Sequence, residues 1–140
     1  MPTDTKTSTA AVNAEANAVG AMLSNGYLRV YGGDKASSAD DAPSGLPLAE
    51  LRFAEAAFGP AVDGLITSYP LAPDMNTVGG ADATWYRTFA EDGVTPVFDG
   101  TVGLAGCNIN LQPSVTVHPG GELHIGSISY RVRKEGATAV

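Results

Sequence analysis

Apolar and polar residues alternate with a period of two along most of this chain, the mark of strands buried on one face. In Tyr27–Tyr31, Leu28 and Val30 take one parity and Arg29 the other. In Leu48–Phe53, Ala49, Leu51 and Phe53 point inward while Glu50 and Arg52 point out. Leu65–Tyr69 predicts a short strand closed by Pro70 and Pro73. Ala83–Phe89 predicts a central strand holding the single tryptophan. There Trp85, Arg87 and Phe89 share one parity, with Tyr86 opposite between Thr84 and Thr88, so one face reads as core and the other as mixed surface. Asp92-Gly93 predicts a hairpin turn into a strand over Val97–Val102. Ile109 and Leu111 face in, with Asn108 and Asn110 out. Val115 and Val117 open a last hairpin that turns at His118–Gly121. In Glu122–Lys134, Leu123 and Ile125 occupy one parity, whereas Ile128, Tyr130 and Val132 occupy the other. A single strand with one buried face cannot hold both sets, so a bulge or bend is expected at Gly126-Ser127.

Helical spacing replaces alternation in one segment. Val12, Ala16, Val19 and Leu23 predict a short helix over Ala10–Ser24, with Thr9 as its cap and Asn25-Gly26 as its stop. The stripe is weak and Gly20 lowers propensity by about 1 kcal/mol, so this helix needs something to pack on. Before it, Met1–Thr9 is polar and reads as an arm that is ordered only when held. Gly32–Ser44 reads as a long polar loop carrying an Asp40-Asp41 pair, a kind of segment that often makes contacts. The expected organisation is residues 1–24 as arm and helix, then 25–140 as one all-β body. Many short strands with frequent turn signals indicate a sandwich or barrel.

Composition narrows the partners. A length of 140 residues suits one domain. Aromatics at 7% leave the core mostly aliphatic. Charged residues make up only 16%, against a usual share of about 25%, which suits a surface lying against other proteins. A net charge of −7 argues against nucleic acid, whose phosphates need clustered cations. The basic cluster is Arg131, Arg133 and Lys134. Cys107 stands alone, so no internal disulfide forms and a reducing compartment fits. No apolar run approaches the roughly 18 residues of a membrane span, and no secretory segment opens the chain. A soluble protein made in a cytoplasm is expected.

Reactive chemistry is sparse. Pro119–His124 partly matches the P-x-G-x-x-H of the second cupin motif, but the H-x-H that such metal sites also require is missing. Cys107 reads as a small, half-buried residue after a turn. No G-x-S-x-G elbow occurs. Gly79-Gly80 precedes a strand with no helix behind it, so it makes no phosphate loop. Asp74-Met75-Asn76 is too short a fragment of a calcium loop. No catalytic residue, metal or cofactor is expected. Tyr86 is left with two roles, stacking on a sugar ring or covering a subunit contact.

Several phrases resemble a family of small virion proteins of tailed bacteriophages, the jelly-roll cement or decoration proteins of the capsid. They are Asn25–Tyr31, Leu48–Leu51, Ala56–Gly59, Ala83–Arg87, Asp99–Gly103 and Asn108–Leu111, spread from about Ala10 to Val132. The resemblance implies a two-sheet jelly roll that pairs as a homodimer on the outer surface of an HK97-like shell and bridges neighbouring capsomers of the major capsid protein. On that footing Thr3, Thr5 and Lys6 of the arm, Val12 and Val19 of the helix, Asp40 and Asp41 of the loop, and Tyr86 are the expected contact residues. A tail or fibre component with a carbohydrate-binding sandwich is the alternative, and it predicts exposed aromatics around Tyr27, Tyr31 and Tyr86. A sandwich enzyme would instead need a polar pocket near His124 and Cys107.

Overall fold

The computed structural model describes residues 5–112 and 114–137. In chain order these form β1 (Thr5–Lys6), helix α1 (Thr9–Met22), β2 (Tyr27–Tyr31), β3 (Ala49–Arg52), β4 (Leu65–Thr67), β5 (Ala81–Asp82), β6 (Trp85–Phe89), β7 (Pro96–Gly103), β8 (Ile109–Asn110), β9 (Thr116–Val117), β10 (Ser129–Arg131) and β11 (Glu135–Ala137). The fold is all-β with one helix. Alternation decides its centre: β3, β2, β6, β7 and β8 hydrogen-bond in that order into a five-stranded sheet. Its inner face carries Leu28, Val30, Ala49, Leu51, Tyr86 and Val102 into one core with Val117, Ile125 and Ile128 from the remaining pairs.

β8 runs parallel to β7, with Val102 opposite Ile109. Such a short parallel return is held by side chains. Asn108 Oδ1 accepts from the Thr101 amide (3.0 Å), and Asn110 Oδ1 accepts from the Cys107 amide (3.0 Å).

The expected last hairpin is corrected. The chain turns at His118–Gly121, but its two arms do not pair with each other. Both run antiparallel to residues 74–82 instead, with Ala81 opposite Val117 and Asp74 bridged to Leu123. Buried Thr77 ties the turn to that segment. Its hydroxyl donates to the His118 carbonyl (2.6 Å), its amide donates to the Gly121 carbonyl (3.0 Å), and its carbonyl accepts from the Gly120 amide (2.8 Å). The parity change at Gly126-Ser127 is where the chain leaves this ladder. Leu123 pairs with Asp74, whereas Ser129–Arg131 pair with β4, and Ile125 and Ile128 are both buried.

The N-terminal segment differs from an arm without a partner. β1 pairs with β11, and the Thr7 amide donates to the Lys134 carbonyl (2.7 Å). Thr9 is already helical, so Ser8 is the cap, its Oγ accepting from the Ala11 amide (3.1 Å). The helix attaches to the β body by Val12, Ala16 and Gly20. A Cβ on Gly20 would stand 3.2 Å from the Ile66 side chain and 3.3 Å from that of Phe58, so the residue that weakens the helix also lets it sit close. Polar helix residues add further ties: Asn13 Oδ1 accepts from the Gly64 amide (2.7 Å), and Asn17 Oδ1 from the Ala61 amide (2.9 Å). No helix among the described residues is long and apolar enough to cross a membrane.

Candidate interaction surface

The mixed surface expected on the Tyr86 parity of β6 is corrected, because that parity enters the core; all five residues of β6 are buried, and Trp85, Arg87 and Phe89 lie on the sheet's outer face. Rings and guanidinium groups alternate across it. Tyr31 stacks on Trp85 with centroids 4.5 Å apart. The Arg87 guanidinium lies 5.3 Å from the Trp85 ring, Arg29 lies 4.4 Å from Phe89, and Arg52 lies 4.8 Å from Tyr27. Flat cations on aromatic faces hide ring surface while keeping charge satisfied. Glu50 accepts from Arg29 Nε at 2.7 Å on the open end of this row.

The closed end lies under the loop that follows β2, and Arg87 fastens that loop. Arg87 is 2% exposed. Its Nε donates to Asp99 Oδ1 (2.6 Å) and its Nη2 to Asp99 Oδ2 (3.1 Å), the bidentate fork that arginine makes with a carboxylate. Nη1 donates to the Asp41 carbonyl (2.6 Å) and Nη2 also to the Ser38 carbonyl (3.0 Å). Hydrogen bonding to Asp99 is the main reason its pKa is raised further, so the guanidinium stays charged. Above this anchor the turn closes on itself. The Asp41 amide donates to the Ser38 carbonyl (3.0 Å), the Asp40 amide to Ser38 Oγ (3.1 Å), and Ser37 Oγ to Asp41 Oδ2 (2.8 Å). At the start of the loop Thr84 Oγ1 donates to the Gly33 carbonyl (2.6 Å). The result is a fixed turn that holds exposed Asp40 and Asp41 outward, on the same loop as Leu46, which is 84% exposed.

The other expected contact residues scatter. Thr3 lies outside the described residues. Thr5 and Lys6 form β1, at the edge shared with β11. Val19 is half-buried. Val12 is corrected: it is fully buried, because the i, i+4 stripe it begins is the side by which the helix attaches. Tyr86 is corrected as well. It is 2% exposed, edge-on to Phe98 at 6.2 Å. Its parity looked polar because of Thr84 and Thr88, yet Thr88 is fully buried. The Thr88 hydroxyl donates to the Phe98 carbonyl (3.2 Å) and accepts from the Phe98 amide (3.1 Å), where the β6–β7 register shifts. A threonine satisfied in this way sits in a core without penalty.

Burial pushes the Tyr86 hydroxyl up to about 12, and it also raises that of Tyr31. A tyrosine is neutral when protonated, so raising its folded pKa above the unfolded value of about 10 adds stability below pH 10 or so. That contribution drains away as pH climbs from about 10 to about 12. An absorbance titration should therefore show a late-ionising tyrosine that Tyr86→Phe removes, with stability falling over the same window. A titration in which Tyr86→Phe removes an early-ionising group would contradict this burial.

Other expected chemistry finds no assembly. Tyr31 and Tyr86, which a sugar-stacking role would need exposed, are buried, and Tyr27 lies against Arg29 and Arg52. His118 and His124 line a groove with Glu122, and His124 Nε2 is 3.1 Å from Glu122 Oε1. Cys107 does not line that groove and packs against Gly103 instead. No group of three or more His, Cys, Asp or Glu that could hold a metal ion occurs among the described residues. Comparison with protein-family models, curated proteins and solved structures finds no match.

Proposed function

We propose that the protein is a structural virion component that cements or decorates an HK97-like phage capsid, as a homodimer bridging neighbouring capsomers of the major capsid protein. The observation that carries the reading is the Arg87-fastened turn: an exposed acidic loop kept in one shape by a buried anchor, with no reacting group beside it. A contact element fixed in advance loses little entropy on docking. The resemblance adds support, since five of its phrases fall on β2, β3, β6, β7 and β8, the strands of the central sheet. A jelly roll is the architecture this reading assigns. The five-stranded sheet would form one layer, and β4, β10 and the 74–82/116–123 ladder the other, with the chain passing between ladders at Gly126-Ser127.

Cementing needs grip rather than chemistry. In a dimer the second contact is intramolecular, so two weak patches hold strongly. A two-fold dimer also suits two-fold seams between capsomers. The test is Asp40→Lys with Asp41→Lys. Both side chains are exposed, but Asp41 Oδ2 accepts from Ser37 Oγ, so folding should weaken by about 0.5–1.5 kcal/mol, whereas occupancy on purified particles should fall. Particles lacking the protein should break at lower temperature and under milder osmotic shock. Unchanged occupancy together with unchanged particle strength would contradict the reading.

A further inference from the structure

Both the central sheet and the β4–β10 pair leave a strand edge open on one groove. In the β4–β10 pair the Ser68 amide donates to the Ile128 carbonyl (2.8 Å) and the Val132 amide to the Gly64 carbonyl (2.9 Å), on either side of the Tyr130–Ile66 position. Antiparallel rungs alternate, so the backbone groups of Ser129 and Arg131 aim away from β4. No backbone group among the described residues meets them. The β7 edge is open only in part, because β8 pairs with it at Val102 and Gly103. The Val102 amide donates to the Thr84 carbonyl (2.9 Å), which turns the amides of Asp99 and Thr101 outward, and that of Thr101 is taken by Asn108 Oδ1 (3.0 Å). Between the edges lies a groove of about 380 Å³ lined by Phe98, Asp99, Asn108, Tyr130, Arg131 and Arg133. Phe98 and Tyr130 stack within it at 4.6 Å.

We infer that this groove takes an extended segment of another protein, added as a strand to the free edge of β10 and carrying acidic side chains at alternate positions. Strand addition supplies main-chain hydrogen bonds for affinity and alternate side chains for selection. Arg131 ends β10 and Arg133 continues its parity two residues beyond; Arg131 Nη1 donates to the Asp63 carbonyl (3.2 Å), and neither forms an ion pair among the described residues. The added strand therefore sets every second side chain beside a guanidinium and turns the others over the Phe98–Tyr130 stack. Acidic and apolar residues must alternate in it. A second copy of this chain fits poorly, because β10 against β10 brings Arg131 and Arg133 close to their own like charges. An acidic segment meets no such penalty.

Two blocked heptapeptides, acetyl-TEVEVET-amide and its lysine counterpart acetyl-TKVKVKT-amide, test this on the full-length protein. At saturating acidic peptide, exchange of the Ser129 and Arg131 amides should slow by about tenfold or more, and the lysine peptide should leave it unchanged. Arg133→Glu should reverse the preference. Ser129→Pro removes one outward donor and leaves the backbone rungs to β4 in place, losing only the Ser129 Oγ–Thr67 Oγ1 contact (3.3 Å), so it should abolish binding with an unchanged circular dichroism spectrum. Equal protection by both peptides, protection by neither, or protection produced by raising the protein concentration alone would each overturn the inference. The inference gives the capsid reading a chemistry for one partner segment, yet peptide binding and particle occupancy are separate measurements, and either can fail while the other stands.

Discussion

Replacing Arg87 by leucine is expected to destabilise the fold by about 3–5 kcal/mol, the usual consequence of stranding one member of a buried ion pair. Asp99, with its side chain 5% exposed, would keep its charge without a partner, and the carbonyls of Ser38 and Asp41 would lose their donors. The pair need not add much net stability over an apolar isostere, so the double variant Arg87→Leu with Asp99→Leu should recover most of the loss. It should not recover the turn. Amides around Ser38–Asp41 should exchange faster in both variants, because the guanidinium supplies the hydrogen bonds from the sheet to the Ser38 and Asp41 carbonyls. Urea unfolding and amide exchange separate the two effects. A loss under about 1 kcal/mol in the single variant would mean that Asp99 is not dry, and would remove the anchor from the account.

Gly100→Ala is expected to cost about 1–3 kcal/mol, toward the top of that range, through overpacking. A Cβ at this position would fall 2.3 Å from Tyr86 Cε1 and 2.5 Å from its hydroxyl oxygen, far inside contact distance. The ring cannot swing clear, because Tyr86 is 2% exposed and Phe98 meets it edge-on. Tyr86→Ala alone should cost about 3–5 kcal/mol by leaving a cavity. Combining the two should cost clearly less than their sum, since the new methyl then meets empty space. Additive losses would show that the ring does not lie on Gly100.

Local pattern was legible where one residue's neighbours decide its face. β2 and β3 follow the alternation of Leu28, Val30, Ala49 and Leu51, and the parity change at Gly126-Ser127 marks a real transfer between ladders. Partnership was not legible in this way. Alternation in Val115–Val117 says that a strand exists, but only Thr77 says what it pairs with. The faces of β6 were misjudged because a threonine was read as wet, although Thr88 bonds a backbone group at a register shift. For the candidate surface, Asp40 and Asp41 were visible as acids in a long loop, whereas their anchor was not. Its one signal was an arginine on a parity otherwise held by Trp85 and Phe89, where a lone charge calls for a buried partner. Val12 failed as a contact for the opposite reason: a helix this weakly apolar spends its few large side chains on attachment.

The proposed capsid role is tested most directly by imaging purified virions and locating this chain in the reconstruction. The account predicts density in many symmetry-related copies on the outer shell, astride the seams between capsomers, with the Ser37–Asp41 turn in contact. Density confined to the tail or the portal vertex, or a shell with bare seams, would contradict it.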